Sequence, residues 1–423
     1  MIITSTKNAR WQPGEQSAKQ GIELTFGEEK QVVRGFGCCF SELGAKALNE
    51  LSESDKKAVL DELFLPGNGN FNYCRTPIGA SDFALEWYSY NETDGDYEMK
   101  NFSVSRDEKL LIPLIESALS RQDEMQMFAS PWCPPLWMKT KRSYSAGVFN
   151  MTPQNLRAYA LYFLKYVEAY RSRGIPLIQV APQNEPCSNQ IFPSCKWTGK
   201  QLTEFIGGYL GPALEGSGVD IIFGTINGPE TDDRFLVTRY ADYLGCAMMD
   251  EKAAKYIKGV GYQWAGKYAL LQTADDYPGL EIIQTEVECG DGSNEWDYTM
   301  YLFENTRRFF RMGATANVYW NIALGKDNSS TWGWKQNSLV RVLDGKADFT
   351  NDYYMMKHFS HFIKRGARYV GLTGRLASCC AAFVNPDGSK VIVASNPYQK
   401  ELTVSFVEKS YILPPRSTST IVM

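Results

Sequence analysis

Leu177-Ile178-Gln179-Val180-Ala181-Pro182-Gln183-Asn184-Glu185-Pro186 is the stretch whose reading decides the fold. Its first half is nearly apolar throughout, as a strand covered on both faces in a parallel sheet must be. Its second half turns polar within a few residues. Such a change marks the C-terminal end of a barrel strand, where the βα loops converge. Leu280-Glu281-Ile282-Ile283-Gln284-Thr285-Glu286 repeats the pattern. Working outward, short apolar runs lie at 31–36, 72–76, 126–130, 177–181, 220–224, 259–263, 281–284 and 316–320. Helical patterns separate them. The clearest, 152–173, opens on Thr152-Pro153, a cap followed by proline in the first turn, and stops before Gly174. Others are 296–312 and 352–364. Eight strands each followed by a helix is what a closed (β/α)8 TIM barrel needs, so an α/β barrel is expected over residues 31–365.

After Arg365 the texture changes to short β-rich runs, with Asn385-Pro386-Asp387-Gly388 as a hairpin signal. Residues 366–423, joined by 1–30, are expected to form an antiparallel β-sandwich side domain. A net charge of -4 argues against a nucleic-acid partner. No apolar run reaches the ~20 residues of a membrane span. The first residues show no charged segment followed by an apolar one, so the expected location is cytoplasmic, or secreted if a leader was removed. The ten cysteines, with adjacent pairs Cys38-Cys39 and Cys379-Cys380 and no C-x-x-C spacing, read as reduced thiols. The sequons at Asn91, Asn101 and Asn328 read as chance.

Chemistry points to the strand ends. Glu185, between Asn184 and Pro186, is rigidly placed to protonate a leaving oxygen. Glu286 ends the seventh strand and supplies a second carboxylate; Glu288, on the same face by strand alternation, competes with it. Carboxyls from two non-adjacent strands can face each other across a barrel mouth. A retaining glycosidase needs them about 5 Å apart, one ionised for attack and one protonated. Each raises the other's pKa. The alternative for each is a solvated surface acid. Aromatic content is high, with 24 Tyr, 22 Phe and 10 Trp. Most of these rings fill a core, and a few can stack on sugar faces.

The order of motifs resembles glycoside hydrolase family 30, the glucosylceramidases, β-1,6-glucanases and related β-glycosidases. The resemblance rests on Arg75-Thr76-Pro77-Ile78-Gly79-Ala80-Ser81-Asp82-Phe83, on Ala129 through Thr140, on Asn184-Glu185-Pro186, on Thr285-Glu286 and on Trp320-Asn321-Ile322-Ala323-Leu324. It runs over nearly the whole chain. It implies Glu185 as acid/base and decides for Glu286 over Glu288 as nucleophile. It implies that Asp82 and Trp132 bind glycone hydroxyls and that Asn184 meets the 2-hydroxyl. Arg75 would hold a carboxylate bidentately from beneath, and Trp320 would floor the pocket. Gln263, Trp264 and Ala265 stand where the glucosylceramidases carry His-Trp-Tyr, which puts a lipid aglycone in doubt. The Trp332 and Trp334 segment after the eighth strand is closer to the β-1,6-glucanase-like members.

The reading is therefore a retaining β-glucosidase or β-1,6-glucanase, with no cofactor and a β-linked oligosaccharide or glycoside as substrate. Glucosylceramide comes second, then galactosides, xylosides and fucosides. A non-catalytic carbohydrate-binding barrel is the alternative of another class. Exo or endo action depends on the loops at 86–101 and 143–149, and oligomeric state stays open. Metal chemistry is disfavoured: the two histidines, His358 and His361, lie three apart on a helix without companions. There is no G-x-S-x-G and no phosphate-binding glycine pattern.

Overall fold

The computed structural model describes residues 1–228 and 240–423. Eight parallel strands close into a barrel in sequence order. They are β1 (Gly35–Cys39), β2 (Tyr73–Ile78), β3 (Gln126–Pro131), β4 (Leu177–Val180), β5 (Asp220–Ile226), β6 (Ile257–Gln263), β7 (Glu281–Glu286) and β8 (Ala314–Asn321). Tyr73, Phe128, Ala181, Ile222, Ile283, Ala316 and Val318 pack together inside it. Tyr73 stacks on Phe128 with centroids 5.5 Å apart.

One expected strand is corrected. Residues 31–36 do not form the first barrel strand. Val32 ends a long strand, Ile22–Val32, of the other sheet, and the barrel begins at Gly35. Intrinsic propensity favoured Val32-Val33 over the glycine-rich run that follows. Close approach decides otherwise. A Cβ on Gly37 would sit 2.0 Å from the Tyr73 carbonyl oxygen, so only glycine lets β1 lie this near β2.

The second sheet has ten strands, fed from both ends of the chain. Ile2–Thr6 pairs antiparallel with Ser417–Val422. Ile22–Val32 pairs with Arg368–Thr373 on one side and, in parallel, with Leu402–Phe406 on the other. Helix Asn351–Ser360 joins the two bodies. Its His358 is buried, with Nδ1 2.8 Å from Thr420 Oγ1 and Nε2 2.9 Å from Ser5 Oγ. Burial drives its pKa down to about 3, so the ring stays neutral. His361 faces the Asn68 carbonyl.

Helix Pro153–Arg171 is capped by Thr152, whose hydroxyl accepts from the Asn155 N–H. Its Tyr170 donates to Asp107, as do Tyr88 and Tyr90. Three phenols on one buried carboxylate anchor the segment after β2, which carries Asp82. None of the ten cysteines is in a disulfide. Asn91 and Asn328 are buried. Among the described residues no group of His, Cys, Asp and Glu is arranged to hold a metal ion, and no helix is long and apolar enough to cross a membrane.

Candidate active site

The polar tail of β4 is held by its neighbours. The Asn184 N–H donates to the Pro131 carbonyl at 2.7 Å and the Glu185 N–H to that of Thr225 at 2.9 Å. Glu185 adopts a left-handed backbone, φ 49°, directly before Pro186. For a non-glycine residue that conformation costs about 1–2 kcal/mol, and the proline after it disfavours helical ψ as well. Strain of this kind persists where the surroundings over-determine the backbone. It turns the Glu185 carboxyl into the barrel mouth.

Beneath it lies Arg75 of β2, fully buried. Its Nη1 donates to Glu286 Oε2 at 2.6 Å, and its Nη2 to Asn184 Oδ1 at 2.6 Å and Ser130 Oγ at 2.8 Å. The expected bidentate grip on a carboxylate is thus corrected: the guanidinium forks between Glu286 and Asn184. Its carbon also lies 4.5 Å from the Trp132 ring centroid and 5.4 Å from that of Trp320. Gln263, ending β6, donates through Nε2 to Glu286 Oε2 at 3.1 Å and to Asn184 Oδ1 at 3.0 Å. The same amide lies near Glu185 and opposes the rise of its pKa.

Both carboxyls therefore lie near one amide, and Glu286 feels the charge of Glu185. Burial lifts both above the usual carboxyl range, Glu286 to about 7. Arg75 opposes the rise in Glu286 and the Glu185 charge adds to it. Carboxyls coupled in this way titrate as a pair and not one by one. The two carboxyls differ in their partners: Glu286 is bonded directly by the Arg75 guanidinium, while Glu185 accepts from the neutral amide of Gln190 at 2.9 Å.

Asp82 is buried, and its pKa lies well above the usual range through burial and the charges of Glu286 and Glu185. Its Oδ1 has no protein partner among the described residues; neither does Trp320 Nε1, nor Gln263 Oε1. Buried polar atoms left open near the same two carboxyls are what a hydroxyl-rich ligand satisfies. Asn184 Oδ1 is saturated by Arg75, Thr225 and Gln263. Its NH2 is the half available to a ligand. Trp132 and Trp320 pack with centroids 5.2 Å apart, within a cluster that includes Cys39, Phe83, Phe192 and Leu324. Trp264 stands apart from this hydrogen-bonded group, half-buried with the Lys267 ammonium 5.0 Å from its ring.

β7 ends at Glu286, so strand alternation does not extend to Glu288, which lies near Tyr301 of the next helix. The structure also adds residues that spacing did not single out. Cys289 donates its thiol to Glu286 Oε1 at 3.7 Å, and Gln190 reaches Glu185 across a loop turn. Phe192 stacks on Trp332 at 5.3 Å. These depend on loop conformation, for which sequence carries no periodic signal.

A closed parallel barrel with buried carboxyls at the ends of its fourth and seventh strands has the architecture of a glycoside hydrolase. The chain belongs to glycosyl hydrolase family 30: the family's TIM-barrel domain matches residues 33–363 and its beta sandwich domain residues 366–421. It is 29% identical to the lysosomal acid glucosylceramidase of Mus musculus, over 91% of this chain and 79% of that one. It is 26% identical to the endo-1,6-beta-D-glucanase BGN16.3 of Trichoderma harzianum, over 97% and 88%. The solved endo-beta1,6-glucanase BT3312 superposes with a TM-score of 0.87 at 25% identity, covering 99% of this chain and 98% of that one.

Proposed function

We propose that this glycoside hydrolase cleaves β-linked glucosides with retention, Glu286 attacking the anomeric carbon and Glu185 serving as acid, then base. The carrying observation is that both carboxyls lie near the Gln263 amide, which donates to Glu286, while among the described residues only Glu286 of the two is bonded to a cation. Two groups around one amide fit the shorter carboxyl separation of a retaining pair, not the wider gap of an inverting one.

The charges then exchange in order. Ionised Glu286 forms the glycosyl ester and loses its charge. Glu185, having given its proton to the departing oxygen, no longer faces a neighbouring anion and becomes a stable carboxylate. It next takes a proton from water, and the water oxygen displaces Glu286. The Asn184 NH2 is suited to the 2-hydroxyl, where a bond strengthens as positive charge develops. Asp82 Oδ1 and Trp320 Nε1 are suited to the other glycone hydroxyls.

Among substrates we place β-1,6-linked or simple β-glucosides first and glucosylceramide second. The likeness to both a β-1,6-glucanase and a glucosylceramidase supports this range. Gln263 and Ala265, in place of the glucosylceramidase His and Tyr, support the order. The test is a panel of nitrophenyl β-glycosides, gentio-oligosaccharides and glucosylceramide. A 2-deoxy-2-fluoro-β-glucoside with a dinitrophenyl leaving group should label Glu286, read by peptide mass spectrometry. Labelling of Glu288 or Glu185 instead would remove the assignment.

A further inference from the structure

The geometry points to Gln190 as the positioning residue of Glu185: its amide holds one carboxyl oxygen so that the other carries the transferred proton. This rests on the reading of Glu185 as acid/base.

Gln190 Nε2 donates to Glu185 Oε2 at 2.9 Å. The oxygen that accepts an N–H is the carbonyl-like one of a protonated carboxyl, so the proton falls on Oε1. A neutral amide suits both halves of the reaction. It donates to C=O when Glu185 is protonated and to the carboxylate when it is not. A cation there, like Arg75 at Glu286, would hold the charged form and spoil the acid.

The loop is built to keep Gln190 in place. Its N–H donates to Ser194 Oγ at 3.1 Å, and Ser194 Oγ also accepts from the Ala146 N–H at 2.9 Å. Ser194 is fastened in turn by Lys139, 4% exposed. The Lys139 ammonium donates to the carbonyls of Ser194 at 2.8 Å, Ser143 at 2.6 Å and Ala146 at 2.6 Å. A buried ammonium met by carbonyls ties the loop after β3 to the loop after β4. With the Glu185 backbone held by its bond to Thr225, the remaining freedom is torsion of the side chain, including its carboxyl. Gln190 removes it.

The experiment compares wild type with Gln190→Met, which keeps the length and loses the donor. Two substrates are used, 2,4-dinitrophenyl β-glucoside, whose departure needs no acid, and gentiobiose, whose departure does. The expected result is a loss of about tenfold in kcat/KM on gentiobiose and less than twofold on the dinitrophenyl glucoside. The alkaline limb of the gentiobiose profile moves to higher pH, because losing a donor to the charged form raises the pKa. Equal losses on both substrates with an unmoved limb, or no loss on either, overturn the inference. Gln190→Asn, polar but too short, gives the same reading if the Met variant folds poorly. Glu185→Gln is measured in parallel. If it discriminates the substrates and Gln190→Met does not, the Gln190 inference alone fails. If neither discriminates, the acid/base reading fails with it.

Discussion

Arg75 binds Glu286 through Nη1 and Asn184 through Nη2, both at 2.6 Å, from a fully buried position beside the Trp132 and Trp320 rings. One planar cation thus sets the Glu286 carboxyl and the amide next to Glu185 in a single frame. A point charge cannot do this, because it lacks the fixed fork.

Replacing Arg75 by Met leaves Glu286 buried without its ion. Breaking a buried pair on one side costs about 3–5 kcal/mol, so the unfolding midpoint should fall by several degrees. Turnover of dinitrophenyl β-glucoside should drop by about a hundredfold or more. Arg75→Lys should recover most of the stability and little of the activity. Equal recovery of both would mean that charge alone matters, not the fork.

The two carboxyl variants should separate by leaving group. Glu286→Gln should abolish turnover of every β-glucoside. Glu185→Ala should lose roughly 10²–10⁴-fold on gentiobiose, keep far more on dinitrophenyl β-glucoside, and give β-glucosyl azide when azide is supplied. A Glu185→Ala enzyme equally impaired on both substrates contradicts its role as acid.

Stability should carry a pH signature of the site. The Glu286 carboxyl is raised from 4.5 to about 7 by burial. A carboxyl raised on folding contributes its full stability below the unfolded pKa and loses it as pH rises through the folded one. Wild type should therefore lose stability relative to Glu286→Gln between about pH 4.5 and 7, by about 3 kcal/mol. Denaturant melts of both proteins at pH 5 and pH 8 check this, and parallel pH dependence would count against a strained carboxyl pair.

Tyr170→Phe removes one of three phenol donors to Asp107, whose pKa burial raises to about 6. A hydrogen bond to a buried charge is worth about 1.5–3 kcal/mol. The variant should lose that much stability. KM should rise more than kcat falls, because Asp107 anchors the segment that carries Asp82. An unchanged melting curve would remove Asp107 from this account.

Trp332, stacked on Phe192, has a buried Nε1 without a protein partner among the described residues. Trp332→Ala should raise KM for gentio-oligosaccharides by about tenfold, in line with the ~1 kcal/mol scale of an aromatic contact, while nitrophenyl β-glucoside is little changed. A matching rise for both substrates would put Trp332 at the glycone instead.

Much of the fold was legible because barrel strands are apolar throughout and turn polar at one end. That pattern marked β4 and β7 within a residue or two of their observed ends. β1 was misjudged because its glycines are selected by a neighbour, Tyr73, far along the chain. Glu288 competes with Glu286 in the sequence because strand alternation, read alone, carries on past the strand; the strand itself stops at Glu286.

By itself the sequence determined the barrel, the second sheet fed from both chain ends, and the strand ends that carry Glu185 and Glu286. These follow from local periodicity, which the backbone geometry of each element imposes. Only the tertiary structure decided that Arg75 forks between Glu286 and Asn184, that Gln263 adjoins both carboxyls, and that Gln190 reaches Glu185. Those contacts join residues from separate strands and loops. Their distances are set by barrel closure and loop packing, which no spacing along the chain encodes.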